Sequence, residues 1–334
     1  MRFDSRRRDF ITLLGGAVAW PLAVRAQQGG RVRRIGALMG FAESDREGQT
    51  DVAAFRGGLQ KLGWAEGRNI WIETRWAPPE NVGPRERFAK ELVALQPDLI
   101  LSHTTPTTAV LLRETRTIPI VFANVSDPIG SGFVASLSQP GGNVTGFTTI
   151  EDAMGGKWLE LLKEISPHVK RVAFLFNPET ATYAEYYLNL FKAAGTSFAV
   201  EATSAPVRDR SEIESVVATL AGQPSGGLVV MPDSFLIAHR AEITSLAASY
   251  RVPAVYPFRS FADVGGLLAY GVDLSDNFGR AALYADRILK GEKPGELPVQ
   301  GPAKFEFVIN LKTARALGLE IPASVVARAD EVIE

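Results

Sequence analysis

Three short apolar segments of this 334-residue chain occur twice, in the same order and at nearly the same spacing. Arg33-Arg34-Ile35-Gly36-Ala37-Leu38 is echoed by Lys170-Arg171-Val172-Ala173-Phe174-Leu175. Pro97-Asp98-Leu99-Ile100-Leu101 is echoed by Gly226-Gly227-Leu228-Val229-Val230, and Ile118-Pro119-Ile120-Val121-Phe122 by Val252-Pro253-Ala254-Val255-Tyr256. Chance likeness among apolar strands would not keep order and spacing together, so the chain reads as two lobes of one design. Further apolar runs stand at Ile70–Trp76, Phe198–Ala202 and Leu267–Tyr270, and segments of helical period, such as 51–62, 85–95 and 238–250, lie between most of the runs. Fully apolar short strands alternating with amphipathic helices mark parallel sheets covered on both faces. The fold class is α/β, with two Rossmann-like lobes.

Ligands of open parallel sheets sit beyond the carboxyl ends of the strands. Two such lobes face to face place both sets of strand ends around one cleft. Its expected lining is Gly40 and Phe41, Thr104 and Thr105, Asn124 to Asp127, Asn177, Asp233 and Ser234, Pro257 and Phe258, and Gly271 to Asp273.

Residues 1–26 stand apart from this pattern. A basic start with Arg6-Arg7-Arg8 leads into an apolar run from Ile11 to Ala23, and Val24-Arg25-Ala26 supplies small residues at a cleavage site. That order is a secretory signal peptide, and the run is shorter than the ~20 residues a bilayer span needs. Arg7-Arg8-x-Phe10-Ile11 is similar to a twin-arginine export signal. The expected product is exported, soluble and periplasmic.

Composition narrows the chemistry. With no Cys, thiolate nucleophiles, disulfides and cysteine metal sites are excluded. The three His, at 103, 168 and 239, are too scattered for a metal cage. Lys+Arg 36 against Asp+Glu 37 gives a net charge of −1, so no basic field exists to hold nucleic acid. There is no Gly-x-Gly-x-x-Gly after a strand, no P-loop and no Gly-x-Ser-x-Gly elbow. No catalytic set, cofactor or metal is expected.

Several motifs resemble a family of ABC transporter substrate-binding proteins, the tryptophan/tyrosine type with the type I periplasmic binding protein fold. They are Phe55-Arg-Gly-Gly-Leu-x-x-Leu-Gly-Trp64 with Glu66-Gly-Arg-Asn-Ile70, Ile118-Pro-Ile-Val-Phe122 with Ser126-Asp-Pro128, and Pro140-Gly-Gly-Asn-x-Thr-Gly146. Ala269-Tyr-Gly271 and Lys304-Phe-Glu-Phe-Val-Ile-Asn-Leu-Lys-Thr-Ala314 complete the likeness, which covers 31–334. The resemblance implies capture of a small polar or aromatic solute between two hinged lobes and delivery to an inner-membrane ABC permease met transiently, by a protein expected to be a monomer. One departure stands out. Members that resemble amino-acid binders carry an Asp soon after this Thr-Gly, where the chain has Phe147-Thr148-Thr149-Ile150. An exported α/β enzyme acting on a small polar substrate is the alternative.

The expected division is 31–145 plus 272–300 for the first lobe and 146–271 plus 301–334 for the second, with hinge crossings near Gly146, Gly271 and 298–302. The expected ligand-binding residues are Phe41, Thr104, Thr105, Ser126, Asp127, Thr148, Asn177, Asp233, Tyr256, Tyr270 and Asp273. Thr104 and Thr105 open a helix, where hydroxyls and free N–H groups suit a carboxylate, although plain N-capping explains either alone. Ser126 and Asp127 serve a ligand or close a turn, and Asn177 offers both donor and acceptor. Asp233 suits an ammonium or hydroxyl, or starts a helix. Tyr256 and Tyr270 would cover the apolar part of a solute, against core packing as the plainer role. Asp273 serves hinge, ligand or helix cap.

Overall fold

The structure is a computed structural model that describes residues 31–334 apart from positions 81, 150, 152 and 224. Residues 1–26, expected to be a signal peptide, lie outside the described residues, as does Ile150.

A parallel five-stranded sheet holds β1 (Arg33–Met39), β2 (Ile70–Trp76), β3 (Leu99–Thr104), β4 (Ile120–Val125) and β5 (Val144–Thr148), in the order β2-β1-β3-β4-β5. Its helices are α1 (Arg46–Lys61), α2 (Val82–Ala94) and α3 (Thr105–Glu114). Side-chain alternation along β1 divides the core. Ile35, Ala37 and Met39 join Val52, Phe55 and Leu59 of α1, whereas Leu38 joins Leu92 of α2 and Val110 and Leu111 of α3. Burying each of the larger side chains among these contributes about 1.5–3 kcal/mol.

The chain then builds a second sheet. Helices α4 (Met154–Ile165) and α5 (Ala184–Ser197) cover one face, and α6 (Arg210–Ala221), α7 (Ser234–Ala238), α8 (Arg240–Ser249) and α9 (Arg259–Ala262) cover the other. The strands are β6 (Arg171–Phe176), β7 (Glu201–Pro206), β8 (Gly226–Val230), β9 (Ala254–Tyr256) and β10 (Leu268–Val272). Helix α10 (Leu274–Leu289) returns to the first sheet, where Phe278, Ala281 and Ala285 complete the core beside α1. Gly58 lets these two helices touch, since a Cβ there would lie 2.6 Å from the Cβ of Ala282. The chain finally adds β11 (Phe305–Asn310), α11 (Leu311–Leu317), α12 (Ala323–Val326) and β12 (Glu331–Ile333), giving the order β12-β11-β10-β9-β8-β6-β7. Among the described residues, only the β10–β11 pair is antiparallel, because β11 enters after the excursion through α10.

The first crossing falls later than Gly146. Strand β5 stays in the five-stranded sheet to Thr148, and Gly146 is a strand residue at φ +154° whose Cβ would meet the Phe122 carbonyl oxygen at 2.0 Å. The crossing segments are tied together by backbone bonds: Thr148 N–H donates to Gln300 O (2.9 Å), Gln300 N–H to Gly146 O (3.0 Å) and Asp273 N–H to Lys304 O (3.0 Å). No helix among the described residues is long and apolar enough to cross a membrane.

Candidate functional site

Strand ends from the two sheets meet across a narrow cleft. One wall carries Phe41 after β1, His103 to Pro106 at the β3–α3 junction, and Asn124 and Ser126 at the end of β4. The other carries Tyr183, Pro232 to Ser234 and Phe258.

The first wall is a web of hydroxyls. Ser102 Oγ lies 3.0 Å from Thr107 Oγ1 and 2.8 Å from Thr108 Oγ1, and both threonine hydroxyls donate to the Thr104 carbonyl at 2.9 Å. Thr105 Oγ1 accepts from Ser126 N–H (3.2 Å), which fixes the β4 end to the start of α3. Ser126 Oγ pairs with Thr149 Oγ1 at 3.0 Å. Asn277 of α10 donates to Asn124 Oδ1 (2.9 Å) and to the Thr148 carbonyl (3.2 Å), so the Asn124 oxygen is engaged.

His103 sits beneath this wall, edge-on to Phe41 and Phe278. Its Nδ1 accepts from Gly40 N–H (3.3 Å), which places the proton of the neutral ring on Nε2. Burial holds its pKa down at about 3, so it is neutral at ordinary pH. Asp51, 3.6 Å from Nε2, is pushed well above the carboxylate range by burial and by nearby Glu47.

The second wall hangs on Asp233. Its carboxylate accepts from Thr180 Oγ1 (2.6 Å) and the N–H groups of Asn177 (2.7 Å), Phe235 (2.7 Å) and Leu236 (3.4 Å). Burial raises its pKa to about 6, against the lowering effect of those donors. Tyr183 donates to the Pro232 carbonyl at 2.5 Å, and burial with the Asp233 charge nearby pushes its phenol upward.

A second chamber adjoins the first, and Phe258 and Leu274 line both. It is far more densely charged than the first, with Glu47, Asp51, Arg240, Arg259, Asp273 and Glu306 on its walls. Polar contacts span the two halves beside the chambers: Arg240 forms an ion pair with Asp45 through two bonds of 2.9 and 3.2 Å, and His239 lies 3.5 Å from Glu80.

Of the residues expected at the site, Phe41, Thr104, Thr105, Ser126 and Asp233 come together at the cleft. The others stand elsewhere. Asn177 is one step behind, donating its N–H to Asp233 while its Oδ1 accepts from Glu179 N–H (2.8 Å). Thr148 ends β5, and Asp127 closes a turn onto Gly130 N–H (2.8 Å). Tyr256 is 1% exposed and stacks on Phe261 in the core, and burial raises its phenol. Tyr270 packs on Phe305 and Phe307 and gives its carbonyl to Trp158 Nε1 (2.7 Å). The aromatic side chains lining the cleft include Phe41, Tyr183 and Phe258, and neither Tyr256 nor Tyr270 is among them. Asp273 caps α10, accepts from Lys304 Nζ (2.7 Å) and faces the second chamber. Sequence reasoning missed Tyr183, Ile237 and Leu274 because none directly follows a strand. Among the described residues, no group of three or more His, Asp or Glu is placed to hold a metal.

The ABC transporter substrate binding protein family profile matches residues 45–333. A tyrosine-binding protein of Clostridioides difficile (strain R20291) is 26% identical over 262 residues, which is 78% of this chain and 74% of that one. An ABC domain from Streptococcus pneumonia, solved in complex with L-Trp, superposes with a TM-score of 0.82 at 26% identity, covering 90% of this chain and 99% of that one. A conserved domain protein from Vibrio cholerae gives 0.84 at 27% identity, over 90% of this chain and 100% of that one. The fold is thus the two-lobed periplasmic binding type that these relatives share.

Proposed function

The chain belongs to the ABC transporter substrate binding protein family, and from that premise we propose how it captures its solute. The first lobe is 31–148 with α10, the second holds the remaining strands, and a small polar or aromatic molecule binds between them. The observation that carries this reading is the cleft itself, whose two walls come from strand ends of different sheets. Neither wall alone surrounds a ligand, so binding and closure are one event, and the closed form is what a permease distinguishes.

Phe41 and Phe258 clasp the apolar part of the solute, while Thr104, Thr105 and Ser126 present hydroxyls to its polar end. No bond is made or broken, and the protein works as a monomer that docks transiently on an inner-membrane ABC permease. Residues 1–26 direct it to the periplasm by the twin-arginine route. Arg7→Lys with Arg8→Lys is expected to abolish periplasmic yield, and unchanged yield in fractionated cells would remove that route. Native mass spectrometry of the mature protein tests capture: one retained, unaltered small molecule per chain is expected, and its conversion to product would favour an enzyme.

A further inference from the structure

The polar groups left unpartnered in the cleft include hydrogen-bond donors from both walls. Asn124 is 8% exposed and its Nδ2 has no partner, while its Oδ1 is taken by Asn277, so the NH2 is the free side of the amide. Ser234, on the opposite wall and 7% exposed, has an Oγ without a partner. Both line the cleft into which the N-terminal end of α3, a ten-residue helix, also opens. A buried donor without an acceptor costs about 1–3 kcal/mol, so these groups favour a ligand that accepts.

The anionic acceptor is already engaged. Among the described residues, Asp233 is the one carboxylate lining the cleft, and it accepts four hydrogen bonds from its own lobe. Among them, too, no Lys or Arg lines the cleft, and His103 Nδ1 accepts from Gly40 N–H. An ammonium brings three N–H donors into a place whose carboxylate is engaged. A carboxylate brings only acceptors, and its charge is favoured at a helix N-terminus. Beside these groups lie the apolar surfaces of Phe41, Ile237, Phe258 and Leu274.

We propose that the cleft selects a small organic acid, one carboxylate on an apolar body with no free ammonium, held between Asn124, Ser234 and the start of α3. The proposal rests on the capture reading above. It differs from what the names of two relatives say of those proteins, one tyrosine-binding and the other solved with L-Trp.

Matched pairs that differ only in the ammonium test it: 3-phenylpropanoate against L-phenylalanine, and indole-3-propanoate against L-tryptophan, titrated calorimetrically into ligand-stripped protein. The acid of at least one pair is expected to bind at least tenfold more tightly than its amino acid. Equal or tighter binding of the amino acid overturns the proposal and leaves capture standing. Binding by neither member overturns it as well, and a small molecule retained in native mass spectra then keeps capture while its absence removes both. Ser234→Ala supplies a second arm, since the hydroxyl has no partner in the protein. It is expected to weaken the bound acid about tenfold without lowering the melting temperature of the ligand-free chain. Unchanged affinity would overturn the assignment of the carboxylate to this wall.

Discussion

The two chambers that meet at Phe258 and Leu274 each contain a buried acid, and the acids are treated in opposite ways. Asp233, in the first, is surrounded by four donors and serves as the cap of α7. Glu47, in the second, has an Oε2 shut off from water with no partner, and Asp51 below it has an orphaned Oδ2. Burial raises both pKa values, Asp233 from 3.8 to about 6 and Glu47 from 4.5 to about 7. The lesson is that a raised pKa alone does not say what an acid is for: one is a structural anchor that tolerates its charge, the other a charge kept at a cost.

The widest separation between them should come from deleting each. Asp233→Ala strands several buried donors at once and is expected to remove about 4 kcal/mol of stability, read as a lower denaturant midpoint at pH 8. A loss under about 1 kcal/mol would mean the second wall does not depend on its cap.

Glu47→Gln should act with the other sign. The folded chain keeps the Glu47 proton at pH values where the unfolded chain has released it. The stability present below about pH 4.5 is therefore lost as pH rises to about 7. The variant is expected to be more stable than the parent by about 3 kcal/mol at pH 8 and equal to it at pH 4. A gain that is the same at both pH values would show that the glutamate charge is not the cause.

Arg240→Ala should produce the smallest change, about 1 kcal/mol, because the ion pair with Asp45 is partly open to solvent. Its signature is in shape: the ligand-free variant should show a larger radius of gyration by small-angle scattering. An identical profile would mean that this pair does not hold the halves together.

Much of the architecture was legible because the interior strands are written in one alphabet. Segments such as Leu228 to Val230 are apolar at every position, and they repeat. The edges were harder to read. Strand β7, Glu201–Pro206, is mostly solvent-facing and carries Thr203 and Ser204, so the apolar stretch just before it drew the expected strand to Phe198–Ala202. Strand β5 includes Gly146, which a close approach to β4 requires, and it read as a crossing. At the cleft, position after a strand located Phe41, Thr104, Thr105, Ser126, Asp233, Ser234 and Phe258. It failed for Tyr256 and Tyr270, since a residue at a strand end points to either face and periodicity does not say which one carries the ligand.

The contact of Gly58 with Ala282 has a consequence for the order of synthesis. The N-terminal sheet is made early, yet the helix that seals one of its faces ends at Leu289 and reaches α1 only after the whole second sheet except β11 and β12 has been made. A nascent chain therefore holds the apolar face of Ile35, Ala37 and Met39 half covered while most of the protein emerges. Such long-range closure slows folding and prolongs exposure to aggregation. The earliest part of the protein to be made is among the last to be finished.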